Sequence, residues 1–263
     1  MPGGVVTSED MRFTDQTALV TGGSRGIGRA IVKALAAEGA KVAVVYRGSK
    51  EAADLLIKEI ADVGGTALAL QGDVADPTVA PGCVTKVIEA WSRLDILVNS
   101  AGVIRDGLFV RMDADGWNSV LQTNLGGTYH FCRAVIEQMA LRQRYGRIIN
   151  ISSVAAEHVN AGQTNYAASK GAVNALTRAL AVEVAGRNVT VNAIAPGFIE
   201  TDMSEAVRNK AGDFIKKVIP MKRVGKPDEI ARVAVFLADP ATAYLTGQVI
   251  TVDGGLSLGA VAP

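Results

Sequence analysis

The stretch TALVTGGSRGIGRAIVKALAAEGA, residues 17–40, decides the fold. It opens with a short apolar run rich in β-branched residues, which predicts a strand. It passes through glycines at 22, 23, 26 and 28, then carries apolar residues at helical spacing as far as Gly39, a helix stop. Strand, glycine-rich turn and helix in that order make the first half of a βαβ unit. Glycines there permit a tight turn and close backbone approach, and the helix N-terminus leaves N–H groups facing an anion such as a pyrophosphate. The spacing Gly22-x-x-x-Gly26-x-Gly28 is not the commoner G-x-G-x-x-G, although its physics is the same. A glycine-rich turn without a ligand would carry the same letters, so the rest of the chain must weigh in.

Outward from this unit, apolar runs recur at 41–47, 66–74, 95–102, 146–154, 189–197 and 247–255. Between them lie helical patterns at 49–65, about 77–92, 113–142, 164–185 and 227–239, the last with Pro227 in its first turn. The runs are apolar throughout rather than alternating, as expected of strands covered on both faces of a parallel sheet. Seven strands alternating with helices predict α/β architecture: a single doubly wound (Rossmann-type) domain with a seven-stranded parallel sheet flanked by helices. No linker or repeat divides it. Residues 1–12 read as a flexible N-terminal tail and 13–263 as one Rossmann-type domain, in which 200–226 is polar with scattered apolar residues. Ligands of such folds lie at the C-terminal strand ends, so chemistry is sought there.

Composition narrows the function classes. Of 263 residues, 49% are hydrophobic and 20% charged, with a net charge of +1, which allows a large core and gives no basic stripe for nucleic acid or membrane. Cys83 and Cys132 lack metal spacing and read as reduced thiols of a cytoplasmic protein; no metal site is expected. No run reaches the ~18 apolar residues of a membrane span, and the N-terminus has no signal-peptide pattern. Small-molecule chemistry is the expectation.

The cofactor's adenosine end can be read at the second strand. A ribose diol calls for a carboxylate there, about 20 residues past the turn. This chain has Tyr46 and Arg47 instead, no acid until Glu51, and Arg25 inside the glycine turn. Two guanidinia and no acid favour a 2′-phosphate, hence NADP(H), unless both are simply solvated. Asp73-Val74 closes the third strand, where Asp73 suits an adenine amino group or a helix cap equally. Asn99 closes the fourth, as a crevice brace or an ordinary turn residue.

Two stretches, YRGSK (46–50) and YAASK (166–170), space a phenol four residues from an amine. Only Tyr166 and Lys170 lie within a predicted helix, where that spacing shares a face. Ketone reduction needs an oxyanion stabilised and protonated as hydride arrives. Tyrosine is a suitable acid, and a nearby ammonium favours its phenolate. Ser153, at a strand end, is placed to bond the substrate oxygen, and Asn124 to hold a water that resupplies the proton. Tyr46, followed by loop-like Arg47-Gly48-Ser49, fails this test and should lie near adenosine.

Taken together, TGGSRGIG, NSAG (99–102), Asn124, Ser153, YAASK and NAIAPGFIETDM (192–203) resemble the short-chain dehydrogenase/reductase family over about residues 13–258. The resemblance implies a catalytic tetrad of Asn124, Ser153, Tyr166 and Lys170. It implies cofactor contacts from Gly22, Ser24, Arg25, Gly26, Ile27, Gly28, Tyr46, Arg47, Asp73, Val74, Asn99, Ala101, Gly102, Tyr166, Lys170, Pro196, Gly197, Ile199 and Thr201, with Ile199 and Thr201 near the nicotinamide. It also implies a homotetramer and makes 200–226 a substrate lid. GVIRDGLFVRM (102–112), GQTNYAASK (162–170) and APGFIETDM (195–203) are most similar to 3-oxoacyl-[acyl-carrier-protein] reductases, enzymes of fatty acid synthesis. In those enzymes two arginines beside the active-site entrance receive the acyl-carrier protein; Arg144 and Arg187 match them, as would two solvated charges. NSAG replaces the commoner NAAG and leaves Asn99 in place. Other substrates remain open: acetoacetyl-CoA, a sugar, a steroid or a secondary alcohol, or no chemistry at all in a dinucleotide-binding regulator.

Remaining features read blandly. His130 has no partner at ligand spacing, and His158 is near enough to Ser153 to be either a surface residue or a substrate contact. Trp91 and Trp117 read as helix packing, Asp113 as a helix cap, and Lys216-Lys217 and Lys222-Arg223 as a solvated face.

Overall fold

Each apolar run becomes a strand, the interior ones buried and the two at the sheet edges only partly so. The computed structural model describes residues 11–205, 209 and 217–259, and in it seven parallel strands form one sheet. They are β1 (Thr17–Thr21), β2 (Lys41–Tyr46), β3 (Ala67–Gln71), β4 (Ile96–Asn99), β5 (Gly146–Ile151), β6 (Val189–Pro196) and β7 (Val249–Val252), in the order β3-β2-β1-β4-β5-β6-β7. The helices are α1 (Gly26–Ala37), α2 (Lys50–Asp62), α3 (Val79–Trp91), α4 (Ala114–Leu121), α5 (Gly127–Ile136), α6 (Thr164–Val184) and α7 (Pro227–Ala238).

Alternation along the strands splits the core into two layers. Ala18 and Val20 of β1 point into a cluster with Ile31, Leu35, Leu56, Ile230 and Ala234 of α1, α2 and α7. Leu19 points the other way, into a cluster with Val84, Val87, Phe131, Val135 and Ala181 of α3, α5 and α6. Each fully buried large aliphatic in these layers contributes about 1.5–3 kcal/mol. Phe13 is fully buried in the first layer, and Arg12 pairs with Glu38 at 3.4 Å, so the chain is fastened from at least Met11 on. The expected tail 1–12 otherwise lies outside the described residues, as do 206–208 and 210–216 of the expected lid.

The order reverses at β1, flanked by β2 on one side and β4 on the other. The crevice beyond the C-terminal ends of β1 and β4 is therefore where a ligand belongs. Thr21 holds this edge together: its Oγ1 accepts from the backbone N–H of both Ser100 and Ala101, each at 3.1 Å. The observed strands stop two or three residues short of the apolar runs at β1, β3 and β4, and the residues beyond them form the rim of the crevice.

The long helical pattern over 113–142 is more complex than predicted. Two π-helical stretches, Gln122–Gly126 and Glu137–Gln143, bracket α5. Asn124 sits in the first, the kind of local widening often found at functional sites. Among the described residues no helix is long and apolar enough to cross a membrane.

Candidate active site

The glycine turn is a cradle that side chains would fill. Gly22 has φ +63, and a Cβ there would lie 2.8 Å from Ala101 Cα; a Cβ on Gly28 would lie 2.3 Å from the carbonyl oxygen of Gly22. Gly26 has φ +52 and faces Thr201 rather than backbone. Gly23, which carried no role in the sequence, is crowded by side chains instead, its would-be Cβ 2.9 Å from a Val44 methyl and 3.0 Å from one of Val32. The α1 N-terminus has no side-chain cap and no acid in its first turn, so its N–H groups stay available to an anion. The turn therefore fits the pyrophosphate of a dinucleotide. Ser24 is buried beneath it and Ile27 packs on the first core layer.

At the adenosine end, Arg47 and Asp73 come together across β2 and β3, Nη1 3.4 Å from Oδ2. Asp73 also accepts from Ala75 N at 3.0 Å in a turn ahead of α3, whose N-cap is Thr78, so it caps no helix. Arg25 points into solvent, 4.0 Å from Asp202. No carboxylate closes β2. Tyr46 closes β2 with its side chain buried. Val74 is likewise buried, and its carbonyl meets His130 Nδ1 at 3.1 Å. Asn99 faces inward too, donating to Asn150 Oδ1 at 2.9 Å, a brace between β4 and β5.

Ser153, Tyr166 and Lys170 meet beyond β5. Ser153 Oγ accepts from Ala155 N at 3.1 Å, which leaves its own proton free to donate. Lys170 is 5% exposed, and its Nζ donates to the Ile151 carbonyl at 2.7 Å and lies 5.7 Å from the centre of the Tyr166 ring. Burial pushes the Lys170 ammonium down to about 8. Burial pushes the Tyr166 phenol up, a hydrogen bond with Ser153 opposes this, and the Asp106 carboxylate adds to it. Without cofactor, then, burial outweighs what lowers the phenol. A raised value keeps the phenol protonated but makes it a weaker acid, so groups that favour the phenolate must act in the loaded site.

Asn124 is fully buried, and its side chain is committed. Oδ1 accepts from Val103 N at 2.8 Å, while Nδ2 donates to Val103 O and Ser169 Oγ, both at 3.1 Å. Both amide donors are spent on the chain, so the side chain clamps Val103, and a water held by Asn124 would have to donate to one of its oxygens. A Cβ on Gly102 would fall 3.4 Å from Asn124 Oδ1 and 3.7 Å from Lys170 Nζ, which places both groups beside the same glycine. Ser169 lay unremarked inside YAASK. It links Asn124 to α6, donating to the Tyr166 carbonyl at 2.7 Å.

The segment after β6 leans back over the glycine turn. Thr201 Cγ2 is 3.3 Å from the would-be Cβ of Gly26. Pro196 closes β6 and Gly197 N bonds Val252 O at 3.0 Å. Ile199 is buried in the first core layer and its backbone bridges to Gly225. Asp113 caps α4, accepting from Gly116 N at 2.7 Å. His158 lines a polar pocket of about 250 Å³ with Ser153, Asn174 and Arg178.

Arg144 and Arg187 correct a further expectation. Each precedes its strand by two residues, and Gly146 and Val189 are partners in register, so the two arginines are neighbours. They stand at the N-terminal ends of β5 and β6. Ser153 lies past the opposite end of β5, and six residues of strand separate the edges by roughly 17 Å. Within one chain they do not flank the active-site entrance.

Comparison with known proteins agrees with this architecture. A family model described as Enoyl-(Acyl carrier protein) reductase matches residues 22–257. The chain is 48% identical to the 3-oxoacyl-[acyl-carrier-protein] reductase of Synechocystis sp., over 93% of this chain and 98% of that one. It is 44% identical to 3-oxoacyl-[acyl-carrier-protein] reductase FabG of Thermotoga maritima, over 94% and 99%. The solved short-chain dehydrogenase/reductase of Serratia marcescens superposes with a TM-score of 0.89 at 36% identity, covering 94% of this chain and 99% of that one. The chain belongs to the short-chain dehydrogenase/reductase family, oxidoreductases that work with a nicotinamide dinucleotide.

Proposed function

We propose that the protein reduces the ketone of a 3-oxoacyl thioester carried on acyl-carrier protein, with NADPH, giving the 3-hydroxyacyl thioester. One observation carries this reading: Ser153, Tyr166 and Lys170 converge at the C-terminal strand edge that also bears the glycine cradle. The relatives that share nearly the whole chain are named for this reaction.

When bound, the nicotinamide supplies hydride to the carbonyl carbon. The chain supplies the rest. Gly22, Gly26 and Gly28 with the α1 N-terminus take the pyrophosphate. Arg25 and Arg47 take a 2′-phosphate as charge-assisted donors. The Ser153 hydroxyl donates to the substrate oxygen, and Tyr166 delivers its proton there as charge develops. Lys170 keeps two N–H donors beyond the one held by Ile151, enough for ribose hydroxyls and a proton relay. Asn124 holds Val103 and, through Ser169, the catalytic turn of α6.

Residues 200–226 act as the lid in this account, and 13–263 as one catalytic domain. Exposed apolar side chains at Val182, Phe236, Tyr244 and Leu258 support a homotetramer. The protein works in the cytoplasm. A second reading keeps the chemistry on a coenzyme A thioester; the position of Arg144 and Arg187 on the far sheet edge favours it. NADPH oxidation measured with acetoacetyl-CoA and with a carrier-linked 3-oxoacyl substrate tests both. Faster turnover on the carrier-linked form supports the first, equal rates the second, and no turnover on any ketone supports a binding protein.

A further inference from the structure

We propose that Asn165 is a positioning residue that sets Tyr166 against the loop over residues 103–110. This rests on the reading of Tyr166 as proton donor.

Asn165 is fully buried, and its amide is used on both sides. Oδ1 accepts from the backbone N–H of Tyr166 at 2.7 Å. Nδ2 donates to Arg105 O at 2.9 Å and Gly116 O at 3.2 Å. The reverse amide orientation would set donor against donor and oxygen against two carbonyls, so the network fixes it. Gln163, at the N-cap of α6, gives no side-chain cap. The first-turn N–H that Asn165 satisfies is therefore the one belonging to Tyr166 itself.

The loop is fastened at further points to the same helix start. Gly107 N bonds Gly162 O at 2.9 Å, and Gln163 Nε2 bonds Asp106 Oδ2 at 3.1 Å. Its other end is the Val103 that Asn124 clamps. Asp106, on this loop, is the carboxylate felt by the Tyr166 phenol. Beyond it, Leu108, Phe109 and Val110 are exposed, an apolar wall next to the site. Among the described residues, Asn165 alone joins this loop, the start of α4 and the Tyr166 backbone. Only an amide can do so: aspartate keeps the acceptor and loses both donors, and alanine loses all three bonds. A displacement of about 1 Å at a reacting group can cost on the order of 100-fold in rate.

The test compares Asn165→Asp, Asn165→Ala, Tyr166→Phe and Asn165→Asp in the Tyr166→Phe background. Turnover is expressed per cofactor-binding site, so unfolded protein drops out. Asn165→Asp should lower kcat about 10- to 100-fold at pH 8 with cofactor Kd within about 2-fold. Relative to wild type it should recover as pH falls, because a neutral carboxyl can donate again, whereas Asn165→Ala should not recover. In the Tyr166→Phe background the same change should alter the residual rate by less than about 2-fold. If Asn165→Asp binds no cofactor, Asn165→Ser carries the test, with a kcat loss expected at unchanged cofactor affinity. Wild-type kcat in these variants, or an equal loss in both backgrounds, overturns the inference while leaving Tyr166 as donor. Wild-type turnover by Tyr166→Phe removes that reading instead, and this inference with it.

Discussion

Lys170 Nζ donates a 2.7 Å hydrogen bond to the carbonyl oxygen of Ile151, the last residue of β5. This contact fixes a buried ammonium to the strand end from which Ser153 follows two residues later. It commits one of three N–H donors and leaves two for the crevice. The amine is thus held by the sheet rather than by Tyr166, whose ring centre is 5.7 Å away.

The buried amine predicts a pH dependence of stability. Burial holds the Lys170 ammonium at about 8 against an ordinary 10.5. Between these values the folded chain binds fewer protons than the unfolded one, so this group makes stability rise with pH across that window. Below it the cost of burying the charge is present in full. Melting curves of cofactor-free wild type and Lys170→Met should show wild type gaining on the variant from about pH 8 to 10. A flat or falling difference contradicts the burial account.

Cofactor choice should follow the guanidinia. The Arg47–Asp73 pair is exposed at both ends, with side chains 66% and 41% accessible, so it holds Arg47 by no more than about 1 kcal/mol. A 2′-phosphate can draw Arg47 away. Wild type should prefer NADPH over NADH in kcat/KM. Arg47→Ala and Arg25→Ala should each lower the NADPH value about 10-fold and barely change the NADH value. Preference for NADH in the wild type rejects the assignment.

Glycine substitutions should separate the cradle from ordinary surface turns. Gly28→Ala puts a methyl 2.3 Å from the Gly22 carbonyl oxygen, so backbone must move. It should lower Tm by several degrees and remove most cofactor affinity, read by fluorescence titration. Gly186→Ala meets nothing within 4 Å and should leave both unchanged. Similar behaviour of the two variants would show that the cradle is not tight.

Charge reversal at the far sheet edge tests the carrier. Arg144→Glu with Arg187→Glu should leave acetoacetyl-CoA turnover within about 2-fold, since neither arginine is near Ser153 of its own chain. Turnover of a carrier-linked substrate should fall about 10-fold if a carrier seated by another subunit uses them. Equal effects on both substrates count against carrier docking there.

Much of this was legible in sequence because it depends on short-range pattern. β-branched apolar runs gave the strands, and the glycines of 22–28 marked the turn, since only such backbone fits between Ala101 and the Gly22 carbonyl. The helical phase of Tyr166 and Lys170 separated YAASK from YRGSK, whose Lys50 pairs with Asp54 instead. What stayed hidden depends on partners far along the chain. Asn165 reaches Arg105 and Gly116, 60 and 49 residues away. Asn124 lies in a π-helical turn, which the periodicity of 113–142 does not distinguish from an α-helix. Arg144 and Arg187 carried family roles, but only the parallel register shows which edge of the sheet they occupy. Tyr46 ends β2 and Ile199 follows β6, and the burial of both side chains is set by packing partners that the strand pattern does not show.

The central claim is that Tyr166 gives the proton for ketone reduction. Its most direct measurement is NADPH oxidation with a carrier-linked 3-oxoacyl substrate by wild type and Tyr166→Phe, alongside NADPH binding to both. The account predicts wild-type turnover, a fall in kcat of about 100- to 10,000-fold in the variant, and NADPH affinity unchanged within about 3-fold. Turnover by Tyr166→Phe within 10-fold of wild type would contradict it.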